Sequence, residues 1–308
     1  MRRAAIFVLS DVRSGSTLLD QCLGAHRQVV SLGEVHWLHA YLSQDRRIYD
    51  PEHPLECTCG KPVAECVFWN AVGRELGRPL ASLQLRSTLS TDEQGHSRTS
   101  TLARLPNRVF RLAPGLFRFG PVRSLFGGHR MARDSIDLFD AVAEVTGCEL
   151  CVDSSKSPLR FRSVYDLQPD RTVAVILSRD YRAVVHSKMK RGAKLEIAAT
   201  GWRRKMRQID ALTSGLPRKH LHYVKYEEFC AFPRAELGRL CEFLGIEFAE
   251  EMLHRPSENV HHIGGSPSKL DPGRSRIELD QAYLNRFRGD ELARLKVLVG
   301  HEAARWGY

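Results

Sequence analysis

The sequence predicts an α/β protein of three layers, with a parallel central sheet covered by helices on both faces. Three observations predict it. Strands are expected near 4–10, 28–32, 149–153, 172–178 and 221–225, the first and fourth of them carrying the apolar runs Ala4–Leu9 and Val173–Leu177. Helical patterns at 131–145, 196–213, 233–244 and 290–305 lie between or after them, and such alternation builds parallel sheets with crossover helices. Two of the strands also run straight into polar turns that open helices, at the strand ends where open α/β sheets bind ligands.

The first strand, Ala4 to Leu9, leads into Arg13-Ser14-Gly15-Ser16-Thr17-Leu18-Leu19. A nucleoside-triphosphatase loop needs Gly, four residues, then Gly-Lys-Ser/Thr, with the Lys on the terminal phosphates. On that template Ser10 stands for the first Gly and Ser16 for the Lys. The rest of the device survives. Gly15 permits a tight turn, and the amides of Ser16, Thr17 and Leu18 would open the next helix toward an anion. Arg13 then supplies the fixed positive charge. A Gly-Ser turn also caps ordinary helices, so a second observation is needed.

The fourth strand provides it. Val173 to Leu177 is followed by Ser178-Arg179-Asp180-Tyr181-Arg182-Ala183-Val184-Val185-His186-Ser187. Arg179 stands at the strand end and Ser187 one to two turns into the next helix. Both would reach one phosphate, the first as a fork donor and the second through its hydroxyl.

With both motifs in hand, the chain resembles the sulfotransferases that use 3′-phosphoadenosine-5′-phosphosulfate (PAPS). The first loop is similar to that family's 5′-phosphosulfate loop. Arg179 and Ser187 are similar to its 3′-phosphate motif, an Arg followed eight residues later by a Ser. The resemblance implies a P-loop NTPase-like sulfotransferase fold, PAPS as co-substrate with adenosine 3′,5′-bisphosphate as product, and no required metal. It places Arg13, Ser14, Gly15, Ser16, Thr17 and Leu18 around the sulfonate and 5′-phosphate. Three further segments resemble the carbohydrate, tyrosyl-protein and bacterial branch. Val29-Val30-Ser31-Leu32-Gly33-Glu34 looks like its Gly-Glu turn with an acidic base. Val152-Asp153-Ser154-Ser155-Lys156-Ser157-Pro158 looks like the strand end carrying a catalytic Lys. His262 to Lys269 looks like its C-terminal donor loop, so that Gly265, Ser266, Ser268 and Lys269 are assigned to the donor, with Ser266 where the family has Asn and Lys269 where it has Arg. Lys225-Tyr226-Glu227-Glu228-Phe229 resembles a further segment of the family, one that is structural.

Sulfonyl transfer moves a compact anionic group from a phosphate to an acceptor oxygen, so charge must be stabilised at both ends of an in-line array. Arg13 and Lys156 are expected to do so. The acceptor hydroxyl must lose its proton, which a carboxylate or imidazole in reach accomplishes. Glu34 is the first candidate for this base and His36 the second. Without the resemblance, Glu34 reads as an acid that favours a helix start, and His36 as a solvated helix residue.

Residues 1–308 are read as one domain with a variable insertion at about 50–130. With 43% hydrophobic and 27% charged residues, the chain has an ordinary globular composition. No apolar run approaches the ~20 residues of a membrane helix, and Met1-Arg2-Arg3 leads directly into a strand, so a cytoplasmic location is expected. The net charge of +10 attracts acidic partners, the donor included; no nucleic-acid-binding module is recognisable. The segment from Ser97 to Arg133 holds eight Arg and neither Lys nor acid. It reads either as a surface insertion with solvated arginines or as an acceptor lid meeting an amphipathic or lipid-linked substrate at a membrane surface. Of the eight cysteines, those at 22, 148, 151, 230 and 241 lie in apolar segments and read as buried thiols. Cys57, Cys59 and Cys66, with His53 nearby, give a weak metal signal because they lack the Cys-Xaa₂-Cys spacing of zinc sites; they are read first as structural or redox-labile thiols, with no metal assigned, and a Cys57–Cys66 disulfide stays open though disfavoured in a reducing compartment. The function expected is transfer of sulfonate from PAPS to a hydroxyl of a carbohydrate, glycolipid or small metabolite. The alternatives are a P-loop small-molecule kinase and a non-catalytic nucleotide-binding module.

Overall fold

The computed structural model describes residues 4–44, 55–89, 101–254, 261–266 and 277–308. Five strands, β1 (Ala4–Leu9), β2 (Val29–Ser31), β3 (Leu150–Asp153), β4 (Thr172–Ser178) and β5 (Leu221–Lys225), form one parallel sheet in the order β2-β3-β1-β4-β5. In register, Phe7 lies opposite Asp153 on one side and Ala174 on the other. Through the first half of the chain run α1 (Ser16–Gly24), α2 (Leu38–Ser43), α3 (Val67–Glu75), α4 (Thr101–Leu112), α5 (Gly120–Ser124) and α6 (Gly128–Thr146). The second half adds α7 (Pro158–Leu167), α8 (Tyr181–Met189), α9 (Leu195–Thr213), α10 (Tyr226–Ala231), α11 (Pro233–Leu244), α12 (Gly289–Val299) and α13 (Glu302–Arg305).

The period of two along β1 explains the layers. Ile6 and Val8 point to one face, where they meet Leu19 and Leu23 of α1 and Phe229 and Leu237 of α10 and α11. Phe7 and Leu9 point to the other, where Trp69 of α3, Leu138 of α6, Phe161 of α7 and Trp202 of α9 fill a larger core. Phe7 sits edge-on to Phe139 and Phe161, at 5.8 and 5.7 Å between ring centroids, a favoured aromatic geometry. Both faces of β1 are thereby dry, which is why it carries no polar alternation; the edge strand β5 (Leu-His-Tyr-Val-Lys), with Tyr223 exposed, is not covered in this way.

Helix ends follow from local chemistry. Ser157 Oγ accepts the amide of Arg160 ahead of Pro158, and Asp180 Oδ1 accepts the amide of Arg182 at the start of α8; each satisfies a donor that a helix start leaves open. The long α6 runs between Gly127 and Gly147, both left-handed, and so exceeds the expected 131–145. The helix expected over 290–305 breaks at Gly300 into α12 and α13.

The basic insertion departs from the expectation of solvated arginines at one position. Phe117 is fully buried with Leu89, Leu159 and Leu212, and this apolar anchoring drags Arg123 inside. There it donates to the Phe117 carbonyl at 2.5 Å and pairs with Asp166. Residues 97–100 lie outside the described residues. No helix among the described residues is long and apolar enough to cross a membrane.

Candidate active site

The chain leaves β1 for α1 on one face of the sheet, and leaves β4 for α8 on the other face. Loops that diverge from neighbouring strands open a crevice at their carboxyl ends, the switch point at which doubly wound sheets bind ligands. Here the two loops bring together the Arg and Ser residues singled out in the sequence. Arg13 Nε donates to Ser187 Oγ at 3.0 Å and its Nη1 to Ser266 Oγ at 3.1 Å. Arg179 Nη1 donates to the Arg13 carbonyl at 3.1 Å, and its guanidinium stacks over the ring of Tyr226 at 4.3 Å. The Ser266 amide donates to Thr17 Oγ1 at 3.1 Å, which ties the C-terminal segment to α1. Ser14 and Ser16 are buried below, and Gly15 caps α1 with a left-handed φ of 89°. A Cβ on Gly15 would stand 2.3 Å from the Tyr226 ring, so the close approach of loop and ring requires glycine. The first-turn amides of α1 have no intrahelical acceptor. Ser268 and Lys269 lie outside the described residues.

The electrostatics favour an anion. Arg13 is held by two hydroxyls, with no carboxylate paired to it among the described residues. Its pKa is lowered, first by burial and then by Arg191 and Arg179. Arg179 Nε is buried without a hydrogen-bond partner, an unmet donor that costs free energy until an acceptor arrives. The Asp280 carboxylate, largely exposed, lies 3.5 Å from Arg179 Nη2.

A second group of residues gathers at the ends of β2 and β3. Lys156 Nζ donates to Glu34 Oε1 at 2.5 Å and to the Ser154 carbonyl at 3.1 Å. Glu34 Oε2 accepts from Trp37 Nε1 at 3.2 Å, and Arg86 stacks over the Trp37 ring at 4.2 Å, so the carboxylate is fixed by both its oxygens. The Gly33–Glu34 turn is clasped by the C-terminal segment: the Glu34 amide donates to the Ile263 carbonyl at 2.7 Å, and Gly264 lies against the Glu34 side chain. Both Arg13 (φ 71°) and Lys156 (φ 55°) have left-handed backbones, uncommon for side-chain-bearing residues and concentrated at functional sites.

His36 differs from the solvated residue its position suggests. Its ring lies beside Trp37 at 4.7 Å, and Nδ1 is buried without a hydrogen-bond partner. Burial first, then the charges of Arg86, Lys156, Arg160 and Lys205, hold its pKa well below 6.5, so the imidazole is neutral at neutral pH. Sequence reasoning missed Lys205 and Arg86. Lys205 donates to the Lys156 carbonyl at 3.0 Å, and its pKa is lowered by burial. Neither belongs to a motif; Lys205 lies mid-helix and Arg86 in a loop. Asp20, also missed, is buried between the sheet and α1, accepting from Ser31 and from Ser154 Oγ.

None of the eight cysteines is joined in a disulfide. The Cys57 and Cys66 sulfurs are 3.7 Å apart, so no disulfide joins them. His53 lies outside the described residues; a different histidine, His261, joins Cys57, Cys59 and Cys66 in one cluster. Sequence spacing carried no sign of this meeting because His261 is 195 residues from Cys66.

Comparison with known proteins agrees with this architecture. In solved structures, the sulfotransferase domain of the Synechococcus PCC 7002 olefin synthase superposes with a TM-score of 0.56 at 21% identity, over 100% of this chain and 96% of that one. The sulfotransferase domain from the curacin biosynthetic pathway gives 0.52 at 19% identity, over 96% and 98%. Both show the same α/β fold. No curated protein matches the chain. The model of the sulfotransferase family matches residues 5–250, a span that includes the β1 loop, the Gly33–Glu34 turn, Lys156 and the Arg179–Ser187 pair, and on that match the chain belongs to the sulfotransferase family.

Proposed function

We propose that the sulfonate donor is PAPS and that the enzyme transfers its sulfonate in line to an acceptor hydroxyl, with Glu34 as general base. The observation that carries the reading is the convergence of Arg13, Arg179, Ser187 and Ser266 in one crevice, with Arg179 Nε buried and unpartnered. A donor with phosphate at both the 3′ and 5′ positions supplies an acceptor for Arg179 Nε and negative charge opposite Arg13. Arg179 and Ser187 hold the 3′-phosphate; Arg13 and the α1 amides hold the 5′-phosphosulfate.

At the reacting centre, the donor's sulfonate is the group transferred. Lys156 stabilises the oxygen that bridges sulfur and phosphate as charge develops on it, and Arg13 stabilises the equatorial oxygens. Lys156 can turn to this task because Glu34 releases it on taking the acceptor proton. A carboxylate that gains a proton no longer holds its ion-pair partner, so proton transfer and cation release are coupled at one contact. Neutral His36 is the second candidate base.

The acceptor is proposed to be a carbohydrate, glycolipid or small metabolite with amphipathic character. Support comes from the basic segment, where Leu112, Leu116, Phe119 and Leu125 are exposed among the exposed Arg108, Arg111, Arg118 and Arg130. Apolar side chains interleaved with Arg suit an amphipathic molecule or an anionic surface.

Thermal unfolding with adenosine 3′,5′-bisphosphate, without metal, against ATP with Mg²⁺ tests the donor. The bisphosphate at a hundred times its Kd should add about 2.7 kcal/mol, and ATP much less, since it lacks the 3′-phosphate. Equal stabilisation by the two sinks the PAPS reading and favours a kinase. Incubation with labelled PAPS and a panel of sugars, lipids and phenols, with products identified by mass, then finds the acceptor.

A further inference from the structure

We propose that Cys57, Cys59, Cys66 and His261 form a structural zinc site that pins the C-terminal donor segment to the rest of the protein. Their four ligand atoms all lie within 4.8 Å of one another. The Cys59–Cys66 and Cys57–Cys66 sulfurs are 3.6 and 3.7 Å apart, and His261 Nδ1 is 3.3 Å from Cys66 Sγ and 3.6 Å from Cys57 Sγ. A tetrahedron with Zn–S of ~2.3 Å and Zn–N of ~2.0–2.1 Å has S···S edges of about 3.8 Å and S···N edges of about 3.6 Å. Four of the six edges lie within about 0.3 Å of these values and none of the six exceeds 4.8 Å, and the sulfurs are well beyond the ~2.05 Å of a disulfide.

The local backbone is shaped to present these atoms. Glu56 and Pro62 form an antiparallel bridge, the Cys57 amide donates to the Lys61 carbonyl at 2.9 Å, and Gly60 turns the chain with φ 80°. This tight hairpin sets Cys57 and Cys59 on one side despite their unusual Cys-Xaa-Cys spacing. Cys66 stands at the start of α3, and its carbonyl accepts the Asn70 amide. His261 is stacked flat on Phe68, with centroids 4.9 Å apart and planes at 8°, which fixes the face its Nδ1 presents. Cys57 and Cys66 are buried and His261 is half-buried, so two thiols meet an imidazole at the edge of the interior with an odd third thiol beside them. A disulfide would consume two thiols and leave the third and the histidine unexplained. A metal takes all four. Three thiolates and one imidazole in a closed tetrahedron suit zinc, and four protein ligands leave no open position for catalysis.

The site's position gives it a role. Residues adjacent to His261 are already paired with the hairpin, Thr58 donating to the His262 carbonyl at 3.2 Å and accepting its amide on Oγ1 at 2.9 Å. From there the chain passes Ile263, bridged to Gly33, then Gly264 against Glu34, and reaches Ser266, which contacts Arg13. A zinc ion at His261 anchors the segment that closes over both Glu34 and the donor crevice. This role, unlike the site itself, rests on the donor reading above.

The test measures zinc by inductively coupled plasma mass spectrometry in full-length protein purified under reducing conditions, without chelator and without added metal. One zinc per chain is expected, lost in Cys66→Ser and reduced in His261→Ala. Cobalt added to stripped protein should give the intense visible absorption of tetrahedral thiolate coordination. Should Cys66→Ser not fold, a mercurial titration of the wild type decides: zinc should leave as three thiols react. A folded, reduced wild type that carries only trace zinc, and takes up neither zinc nor cobalt after reduction, overturns the site, as does a stoichiometric content of iron instead. The anchoring role is read separately, from stabilisation by adenosine 3′,5′-bisphosphate before and after zinc removal. Affinity should fall at least tenfold on removal; unchanged affinity refutes the anchoring. Failure of the zinc-loaded protein to bind the bisphosphate refutes the donor reading and leaves the metal count to decide the site.

Discussion

Glu34→Gln separates proton acceptance from shape at the proposed reacting centre. The wild-type carboxylate accepts Lys156 on one oxygen at 2.5 Å and Trp37 on the other at 3.2 Å. A glutamine has one carbonyl oxygen for two donors, so either the lysine or the indole loses its acceptor. Loss of one charge-assisted hydrogen bond costs about 1.5–3 kcal/mol, which lowers Tm by several degrees in a chain of this size without preventing folding. Turnover should fall roughly 10²- to 10⁴-fold, the usual worth of a positioned base. The donor's KM should hold, because Glu34 touches none of Arg13, Arg179 or Ser187. The assay is initial rate at saturating donor, with release of adenosine 3′,5′-bisphosphate followed directly, and His36→Asn in parallel. His36→Asn should keep most activity. An active Glu34→Gln beside an inactive His36→Asn that still binds donor would move the base to the imidazole, and two active variants would refute a side-chain base at either position.

Arg179→Ala should weaken adenosine 3′,5′-bisphosphate binding by about ten- to a hundredfold, the equivalent of one charge-assisted contact, while Ser187→Ala should cost about two- to tenfold; calorimetry reads both, and unchanged affinities would remove the 3′-phosphate assignment. Gly15→Ala should cost far more stability than Gly77→Ala. Both glycines have positive φ, at 89° and 64°, but a Cβ at 15 meets Tyr226 at 2.3 Å and one at 77 meets nothing within 4 Å. The backbone term, ~1–2 kcal/mol, is common to both, so the excess in denaturant unfolding reports the ring contact; equal losses would show that the loop shifts freely. Asp20 is pushed up to about 7, chiefly by burial, against 3.8 for its ordinary value. A folded value above the unfolded one means that its stabilising contribution is whole below about pH 4 and is lost as pH rises to about 7. Relative to the wild type, Asp20→Asn should therefore gain stability as pH rises from 4 to 8, by a few kcal/mol; a constant difference between the two proteins would show that Asp20 titrates as an exposed carboxylate.

The central strands β1 and β4 were legible because a parallel sheet covered on both faces leaves them no position for a polar alternation. Ile6 and Val8 had to be as apolar as Phe7 and Leu9, since each pair enters a core. Helix ends were less legible. Gly127 and Gly147 set the true limits of α6, yet a glycine at a left-handed cap looks the same in sequence as one in any loop. Arg123 shows the harder failure: eight arginines without an acid in their own segment look solvated, but the partner, Asp166, comes from α7. Burial of a charge is decided by what tertiary structure brings to it, not by its neighbours in the chain.

The candidate site divides along the same line. Arg13, Gly15, Arg179 and Ser187 were visible because backbone geometry and ligand chemistry constrain them at fixed distance from a strand end, and a local constraint leaves a local pattern. Lys205 and Arg86 reach Lys156 and Trp37 from α9 and from a loop, with nothing beside them in sequence to mark the contact. Their presence nonetheless follows from the chemistry. Two groups of cations are gathered here, Arg13 with Arg179 and Lys156 with Lys205; burial and like charges depress the pKa of Arg13 and of Lys205, against which Asp280 and Asp11 respectively act. Such a group is unfavourable in the free enzyme and becomes favourable when a multiply charged anion enters, because the repulsion is exchanged for attraction in the same low-dielectric space. The left-handed backbones of Arg13 and Lys156 fit that account. Strain and repulsion of this kind persist only where the surrounding fold holds the groups in place, and here the holding is done by Tyr226 against Gly15 and Arg179, and by the 261–266 segment against Gly33 and Glu34.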